Sequence, residues 1–515
     1  MRHLLEDYLQ MLAARGLLLE PEDALRQRLG DKCRREVALV SCDSRKLAED
    51  TLFICKGANF KPDFLEMAAA SGAAFYLSER EYSQVDLPWI GVSDIREAMA
   101  SCANFFYDRP WEAFRLVGIT GTKGKSTTAF FLKSIFDVYE EERGRLPSGL
   151  ISTILTSDGK VCSPSRMTTP EPLDLEEHFA NAREAGLDYV TMEVSSQALK
   201  YDRVLDVKFD VGAFLNIGYD HISPVEHPTW EDYFASKLKI FDQCRTALVH
   251  LGTDHSEEMA AYAERAEQVL TFSEIDPGAD VYGYDIHKAG RETRFQARVR
   301  GQERTYVLGI PGFFNVSNAL AAIAIADHYG ISDACIRRGL AIARVPGRME
   351  EYMSADGKIV AIIDYAHNRL SFEKLFAAAR EEFPNRRIVA LFGASGGKAI
   401  NRRRDLGEVA AANADYIYLT EDDPGKEDPA EIAGEIASYI KPFGTPYEII
   451  PNREEAIRTA IRAAEGPTLL LLAGKGHELM VRRAHGYEKG LSDAACARKY
   501  LEEYDGGLSD SPIQN

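Results

Sequence analysis

The stretch Gly121-Thr122-Lys123-Gly124-Lys125-Ser126-Thr127-Thr128 follows an apolar run, Phe114 to Ile119, and precedes Phe130, Phe131, Ile135 and Phe136 at near-helical spacing. A buried strand, a glycine-rich turn and a helix start together make an anion site, because turn amides and the positive end of the helix dipole converge on one point. In such a loop the backbone of Gly121, Thr122, Lys123, Gly124 and Thr127 wraps phosphates, Lys125 reaches the β- and γ-phosphates, and the Ser126 hydroxyl faces Mg²⁺. The ligand chemistry is that of ATP or a similar triphosphate. The spacing departs from the general phosphate-loop pattern. That pattern wants glycine where Ile119 stands; the glycines present are Gly118, Gly121 and Gly124. The plain alternative is a glycine-rich turn on an unrelated α/β fold, but Gly-Lys-Ser at a strand-to-helix junction is rare by chance.

Other candidate groups sit at the carboxyl ends of apolar runs, where open α/β sheets bind ligands. Leu187 to Val194 reads as a strand carrying Glu193, and Val211 to Asn216 leads to Asp220 and His221. Glu193 is placed to hold Mg²⁺; His221 alone is weaker, since Mg²⁺ prefers oxygen ligands. Lys237 and Lys239 lie on an expected helix, Trp230 to Gln243, where a lysine is ordinarily solvated. Further on, Ile359–Asp364 runs into Tyr365-Ala366-His367, Arg387–Phe392 into Gly393 to Gly397, Tyr416–Leu419 into Thr420 to Gly425, and Thr468–Ala473 into Gly474-Lys475-Gly476-His477-Glu478. Ser44, Arg45 and Lys56 fit an anion or a uracil edge, or are simply solvated loop residues. No Ser-His-Asp or Cys-His arrangement is evident. The eight cysteines are scattered without a C-x-x-C pair, which suggests neither a zinc site nor a disulfide framework.

These groups must be held by a large scaffold. At 515 residues the length suggests about three domains. The alternation of strands and helices predicts an α/β fold: a central doubly wound, mostly parallel sheet of phosphate-loop type, a Rossmann-like C-terminal domain and a small α/β N-terminal domain. The expected boundaries fall at residues 1–112, 113–343 and 344–515, the last at Ala343-Arg344-Val345-Pro346-Gly347-Arg348. Residues 281 to 310 are β-rich, Val316 to Tyr329 reads as a helix, and the polar tail from Gly506 as frayed. The net charge of −19 argues against nonspecific nucleic-acid binding. The N-terminal segment is an amphipathic helix without a signal-peptide core, and no apolar run of 18 residues exists. A cytoplasmic monomer that touches neither nucleic acid nor membrane is the expectation.

Taken in order, Asp43-Ser44-Arg45, Gly121 to Thr128, Thr168-Thr169-Pro170, Glu193-Val194-Ser195-Ser196, Asn216 with Asp220-His221, Phe314-Asn315 with Asn318, Pro346-Gly347-Arg348, Asp364 to His367 and Gly474 to Glu478 resemble the Mur ligases of peptidoglycan synthesis. The resemblance spans nearly the whole chain. It implies a uridine-nucleotide domain at 1–112, an ATP-binding domain at 113–343 and an amino-acid-binding domain at 344–515. It makes Ser44 a uridine-diphosphate contact, and Thr168, Thr169, Ser195 and Arg203 contacts to the muramoyl-dipeptide. Asn318 and Arg348 become nucleotide contacts and Asp364 a group near the ribose. Ser126, Glu193, His221 and Lys237 become magnesium ligands, Lys237 after carbamylation to a carboxylate-like group. Lys125, Glu193, His221 and Lys237 are then the catalytic set, and Lys239 the control for Lys237. Arg403, Asp422, Asp423 and Glu478 are implied amino-acid contacts.

Departures bear on specificity. Gln197 stands where the family often has histidine, and it cannot titrate. The branch that adds diaminopimelate carries Asp-Asn-Pro-Arg; here Asp422-Asp423-Pro424-Gly425 lacks the arginine and gains an acid. Both changes favour L-lysine over meso-diaminopimelate, with Lys426 the nearest substitute cation. The resemblance implies an ATP- and Mg²⁺-dependent ligase joining a diamino acid to UDP-MurNAc-L-Ala-D-Glu through an acyl phosphate. A folylpolyglutamate-synthetase-like ligase would not need the N-terminal module. A non-catalytic relative would not keep Lys125, Ser126, Glu193, His221 and Lys237 together.

Overall fold

The computed structural model describes residues 3–57, 60–219, 222–223, 226–289, 292–397 and 400–509. The chain divides into two compact units: residues 1–282 with 298–301 and 320–339, and residues 283–297 with 302–319 and 340–515.

The first unit begins with the helix Leu5–Ala14, whose Leu5, Tyr8, Leu9 and Leu12 recur on one buried face. These side chains pack onto a four-stranded sheet ordered Leu39–Ser41, Thr51–Ile54, Ala73–Ser78, Trp89–Gly91, with every pair parallel. A second, larger sheet follows. Its order within this unit runs Gln268–Ser273, Cys244–His250, Phe209–Phe214, Arg115–Thr120, Tyr189–Glu193, Gly149–Ile151, Leu155–Ser157, Cys162–Pro164. The pairs are parallel as far as Gly149–Ile151 and antiparallel beyond it. The middle strand, Arg115–Thr120, is buried from Leu116 onward, as a strand covered on both faces must be. Ile119 pairs with Glu193, and Thr120 with Phe214, so three strand ends deliver their polar groups side by side.

The second unit holds a six-stranded sheet ordered Glu350–Met353, Ile359–Asp364, Thr468–Ala473, Arg387–Phe392, Tyr416–Leu419, Tyr447–Ile449. Only the first strand is antiparallel. Alternate residues feed separate cores on its two faces: Val360 and Ile362 join one, Ile359, Ala361 and Ile363 the other.

Three expected boundaries move. The helix after the phosphate loop, expected from Thr127 to Val138 on its apolar spacing, starts at Lys125, because Gly124 makes the turn in the left-handed region. The expected helix Trp230–Gln243 is α-helical only to Leu238 and continues as a tighter 3-10 turn, Lys239–Gln243, that keeps Ile240 and Phe241 in the core. The helix Asp493–Ser509 passes through Gly506, anchored by buried Cys496, Ala497, Tyr500 and Leu501. Among the described residues no helix is long and apolar enough to cross a membrane.

Candidate functional site

The phosphate loop is shaped by glycines with different duties. A Cβ on Gly118, inside the strand, would lie 2.7 Å from the Phe209 ring. At Gly121 a Cβ would come within 3.2 Å of the Leu215 side chain, and Gly124 (φ +86°) starts the helix. The irregular spacing is therefore one packing glycine followed by two loop glycines. Asn216 clamps the loop: its Oδ1 accepts from the Lys123 amide at 2.9 Å and its Nδ2 donates to the Lys123 carbonyl at 3.0 Å. The Tyr233 and Thr122 hydroxyls lie 3.0 Å apart, and Ser126 and Thr127 are buried at the helix start.

Two lysines share one carbonyl here. Lys125 Nζ donates to Gly121 O at 2.7 Å and to Thr122 O at 3.3 Å. Lys237 Nζ donates to the same Gly121 O at 2.9 Å, and its side chain is only 2% exposed. Lys239 is exposed, its Nζ 3.4 Å from Leu199 O. The two helix lysines thus separate sharply. His221 and its neighbour Asp220 lie outside the described residues.

Beside the loop, the buried Glu193 carboxylate accepts from the Thr153 amide at 2.8 Å and from its hydroxyl at 3.1 Å. The Thr153 and Thr168 hydroxyls lie 3.1 Å apart, so Thr168 is left to donate. Thr169 donates to Glu193 O at 3.0 Å and accepts from the Ser195 amide at 3.0 Å. Arg203 pairs with Glu171 at 2.9 Å and donates to Thr169 O at 3.4 Å, while Lys56, just past the strand Thr51–Ile54, pairs with the same Glu171. Thr168, Thr169, Ser195, Arg203 and Glu193 are therefore gathered into one network. Thr153 and Glu171 were not legible beforehand, since a threonine and a glutamate in loops carry no motif. Ser44 lies elsewhere, in a turn tied by Asp43, whose carboxyl the Arg45 guanidinium holds down at about 2.

One expectation is corrected. A Ser-His-Asp chain does exist. His227, fully buried, sits 2.6 Å from Asp232 Oδ2 through Nδ1 and 2.9 Å from Ser196 Oγ through Nε2. Burial lowers the His227 pKa despite the pull of Asp232. The three residues are spread over 36 positions (232 − 196), so spacing could not reveal them. Ser196 is itself buried, which leaves no room for a nucleophile's attack.

In the second unit Asp422, Asp423 and Glu478 converge closely enough to hold a cation. An ammonium already stands there: Lys475 Nζ is 3.0 Å from Asp423, 2.8 Å from Glu478 and 2.7 Å from the Met480 carbonyl. Burial opposes the Lys475 charge, but Asp422, Glu478 and Asp423 outweigh it and raise its pKa. Burial pushes Asp422 up to about 6 against the pull of Lys475 and Arg453. Arg403 is buried and held by Glu427 at 2.7 Å and Glu435 at 2.5 Å. The Arg482 guanidinium lies over Gly425, where an added Cβ would meet it at 3.0 Å. Asn318 donates to Asn315 at 3.0 Å; Arg348 stacks 4.5 Å from the Tyr365 ring; Asp364 accepts from the Met349 and Ala366 amides.

Comparisons with known proteins accord with this geometry. The model of the Mur ligase middle domain matches residues 119–326, and that of the Mur ligase, glutamate ligase domain matches residues 347–476. The chain is 39% identical over 477 residues to the UDP-N-acetylmuramoyl-L-alanyl-D-glutamate--L-lysine ligase of Enterococcus faecalis, covering 91% of this chain and 92% of that protein. With the same-named ligase of Streptococcus thermophilus the identity is 38% over 469 residues, covering 90% and 92%. Among solved structures, a UDP-N-acetylmuramoyl-L-alanyl-D-glutamate--2,6-diaminopimelate ligase aligns with TM-score 0.65 at 22% identity over 98% of this chain and 99% of that one. Folylpolyglutamate synthase of Mycobacterium tuberculosis aligns with TM-score 0.60 at 17% identity, over 78% of this chain and 94% of its own.

Proposed function

The chain belongs to the Mur ligase family, and we propose that it is the ATP-dependent ligase that adds L-lysine to UDP-MurNAc-L-Ala-D-Glu in peptidoglycan precursor synthesis. The carrying observation is the acid surplus at Asp422, Asp423 and Glu478, three carboxyl groups around the Lys475 ammonium, with glycine at 425. Such a pocket favours a side chain ending in ammonium and offers no arginine from position 425 to a second carboxylate. The names of the relatives support the same substrate pair.

The γ-carboxylate of the dipeptide's D-glutamate attacks the γ-phosphorus of ATP, the bond to ADP breaks, and an acyl phosphate forms. The lysine α-amine then attacks the acyl carbon, phosphate leaves with the bonding pair, and the amine loses a proton to give the amide. Both partners of the first step are anions, so catalysis is positioning and charge compensation. Lys125 leaves its carbonyl partners for the phosphates; the loop amides hold them. Ser44, Thr168, Thr169, Ser195 and Arg203 hold the UDP-MurNAc-dipeptide. Asn318, Arg348 and Asp364 serve the nucleotide, and Arg403 the amino acid.

Magnesium fits the donor set. Glu193 is a buried carboxylate whose two oxygens each take one bond from Thr153, leaving lone pairs for a hard cation. Ser126, Glu193, His221 and a carbamylated Lys237 would hold it, and bound there it would offset phosphate charge. The cytoplasm is the compartment that supplies these substrates.

One observation favours meso-diaminopimelate instead: the Arg482 guanidinium over Gly425 restores positive charge at that position. Phosphate release from ATP, UDP-MurNAc-dipeptide and single amino acids tests the ligase reading. Release is expected only with all three present; no release with any amino acid contradicts it.

A further inference from the structure

The chain Ser196–His227–Asp232, buried at Ser196 and His227 and half-buried at Asp232, has no part in the chemistry above, yet it joins two of the site's elements. Ser195 caps the short helix Ser196–Lys200 by accepting from the Ala198 amide at 3.2 Å, so Ser196 is the next residue after a proposed dipeptide contact. Asp232 belongs to the helix Trp230–Leu238, which also carries Tyr233 and Lys237. Tyr233 meets Thr122 of the phosphate loop at 3.0 Å, and Lys237 donates to Gly121 O at 2.9 Å. His227 packs edge-on against Tyr233, with ring centroids 5.1 Å apart.

We propose that His227 is a positioning residue that fixes the dipeptide-holding Ser195–Ser196 segment relative to the helix bracing the phosphate loop, so that carboxylate and γ-phosphate meet in line. This rests on the proposed function for the identity of the two substrates, and on the geometry for the link itself. Asp232 sets the tautomer: with the proton on Nδ1, Nε2 is left to accept from the Ser196 hydroxyl. The link is fully desolvated at its centre, where a broken hydrogen bond is not replaced by water. Lys200 adds a second, more exposed tie, donating to Asp232 at 2.7 Å and to Glu226 O at 3.1 Å. The first tie alone passes through a ring that also touches Tyr233. It therefore controls orientation, whereas the second secures the helix end.

The test uses the full-length enzyme with S196A, H227A, H227Q and the S196A/H227A pair. Each is assayed for kcat and for KM toward ATP and the UDP-MurNAc-dipeptide, with Tm measured alongside. Misorientation costs rate rather than nucleotide binding, so H227A is expected to lower kcat about 100-fold and S196A about tenfold, with KM for ATP moving less than about threefold. H227Q, which keeps an acceptor for Ser196, is expected to recover part of the H227A loss. Because serine and histidine act as one link, the pair is expected to be no slower than H227A alone. A kcat for S196A equal to that of the unmodified enzyme overturns the proposal, even if H227A fails to fold. Multiplicative losses in the pair overturn it too, as does a rise in KM for ATP matching the fall in kcat. The ratios are taken with whichever diamino acid the unmodified enzyme turns over, so a wrong amino acid and a wrong role for His227 give different results.

Discussion

In the function proposed above, the phosphate loop and the acid cluster of the second unit face the same problem, holding charge ready for an incoming partner, and their side chains are arranged in opposite ways. Around the loop, cations rest on backbone: Lys125 and Lys237 both donate to Gly121 O. Around the cluster, charges rest on one another: Lys475 on Asp423 and Glu478, Arg403 on Glu427 and Glu435. A lysine parked on a carbonyl gives up little when a phosphate arrives. A charge inside a buried salt-bridge network can be moved only if its partners are compensated. The first arrangement suits a ligand common to a whole family; the second suits discrimination among similar amino acids.

Substitutions can break this contrast at either end. The largest effect is expected from Lys125→Ala, a fall of about 10³-fold in kcat, since under the proposed function the loop then loses its charge toward the phosphates. Lys237→Ala is expected to cost about 10²-fold while Lys239→Ala changes turnover less than about twofold, both read from steady-state rates. Equal effects of the two lysines would remove the distinction that burial draws between them. In the cluster, Asp423→Asn is expected to raise KM for lysine about tenfold and leave KM for ATP unchanged, as loss of one charged hydrogen-bond partner. A pH series sharpens the same point. Asp422 is neutral below about 6 and charged above it, so affinity for an ammonium side chain is expected to rise as pH increases through that value. The pH dependence of KM for lysine checks this, and Asp422→Asn should flatten it.

The smallest effect lies away from both sites. Burial pushes Glu176 up to about 8, with the Asn104 hydrogen bond at 3.3 Å only a partial offset. The folded state therefore holds this proton more tightly than the unfolded chain. Stability from this group is present at low pH and is lost as pH rises from the unfolded value of 4.5 through about 8. Glu176→Gln should raise Tm at pH about 8.5 more than at about 5.5, as thermal melts would show.

What could be read beforehand follows the same division. The strands Ile359–Asp364, Arg387–Phe392, Tyr416–Leu419 and Thr468–Ala473 fall where expected, because a strand buried on both faces is a continuous apolar run bounded by polar residues. The phosphate loop was legible because its function is built from local backbone geometry. Thr153, Glu171, Tyr233 and His227 were not, because each acts through a partner brought near only by the fold. The pairing of Lys475 with Asp423 spans 52 positions, and Arg482 reaches Gly425 from a separate hairpin; no local pattern records either contact. Gly118 shows the reverse error: it looks like part of the loop and is a packing residue of the strand.

Under the proposed function, the acid surplus around Lys475 selects a substrate whose side chain ends in ammonium without a second carboxylate. The most direct measurement is the ratio of kcat/KM for L-lysine to that for meso-diaminopimelate, with saturating ATP and UDP-MurNAc-dipeptide. A preference for L-lysine of about 10²-fold or more is expected, since the extra carboxylate would enter a pocket already rich in carboxyl groups. Equal use of the two, or a preference for meso-diaminopimelate, would contradict it and assign Arg482 the role of carboxylate partner.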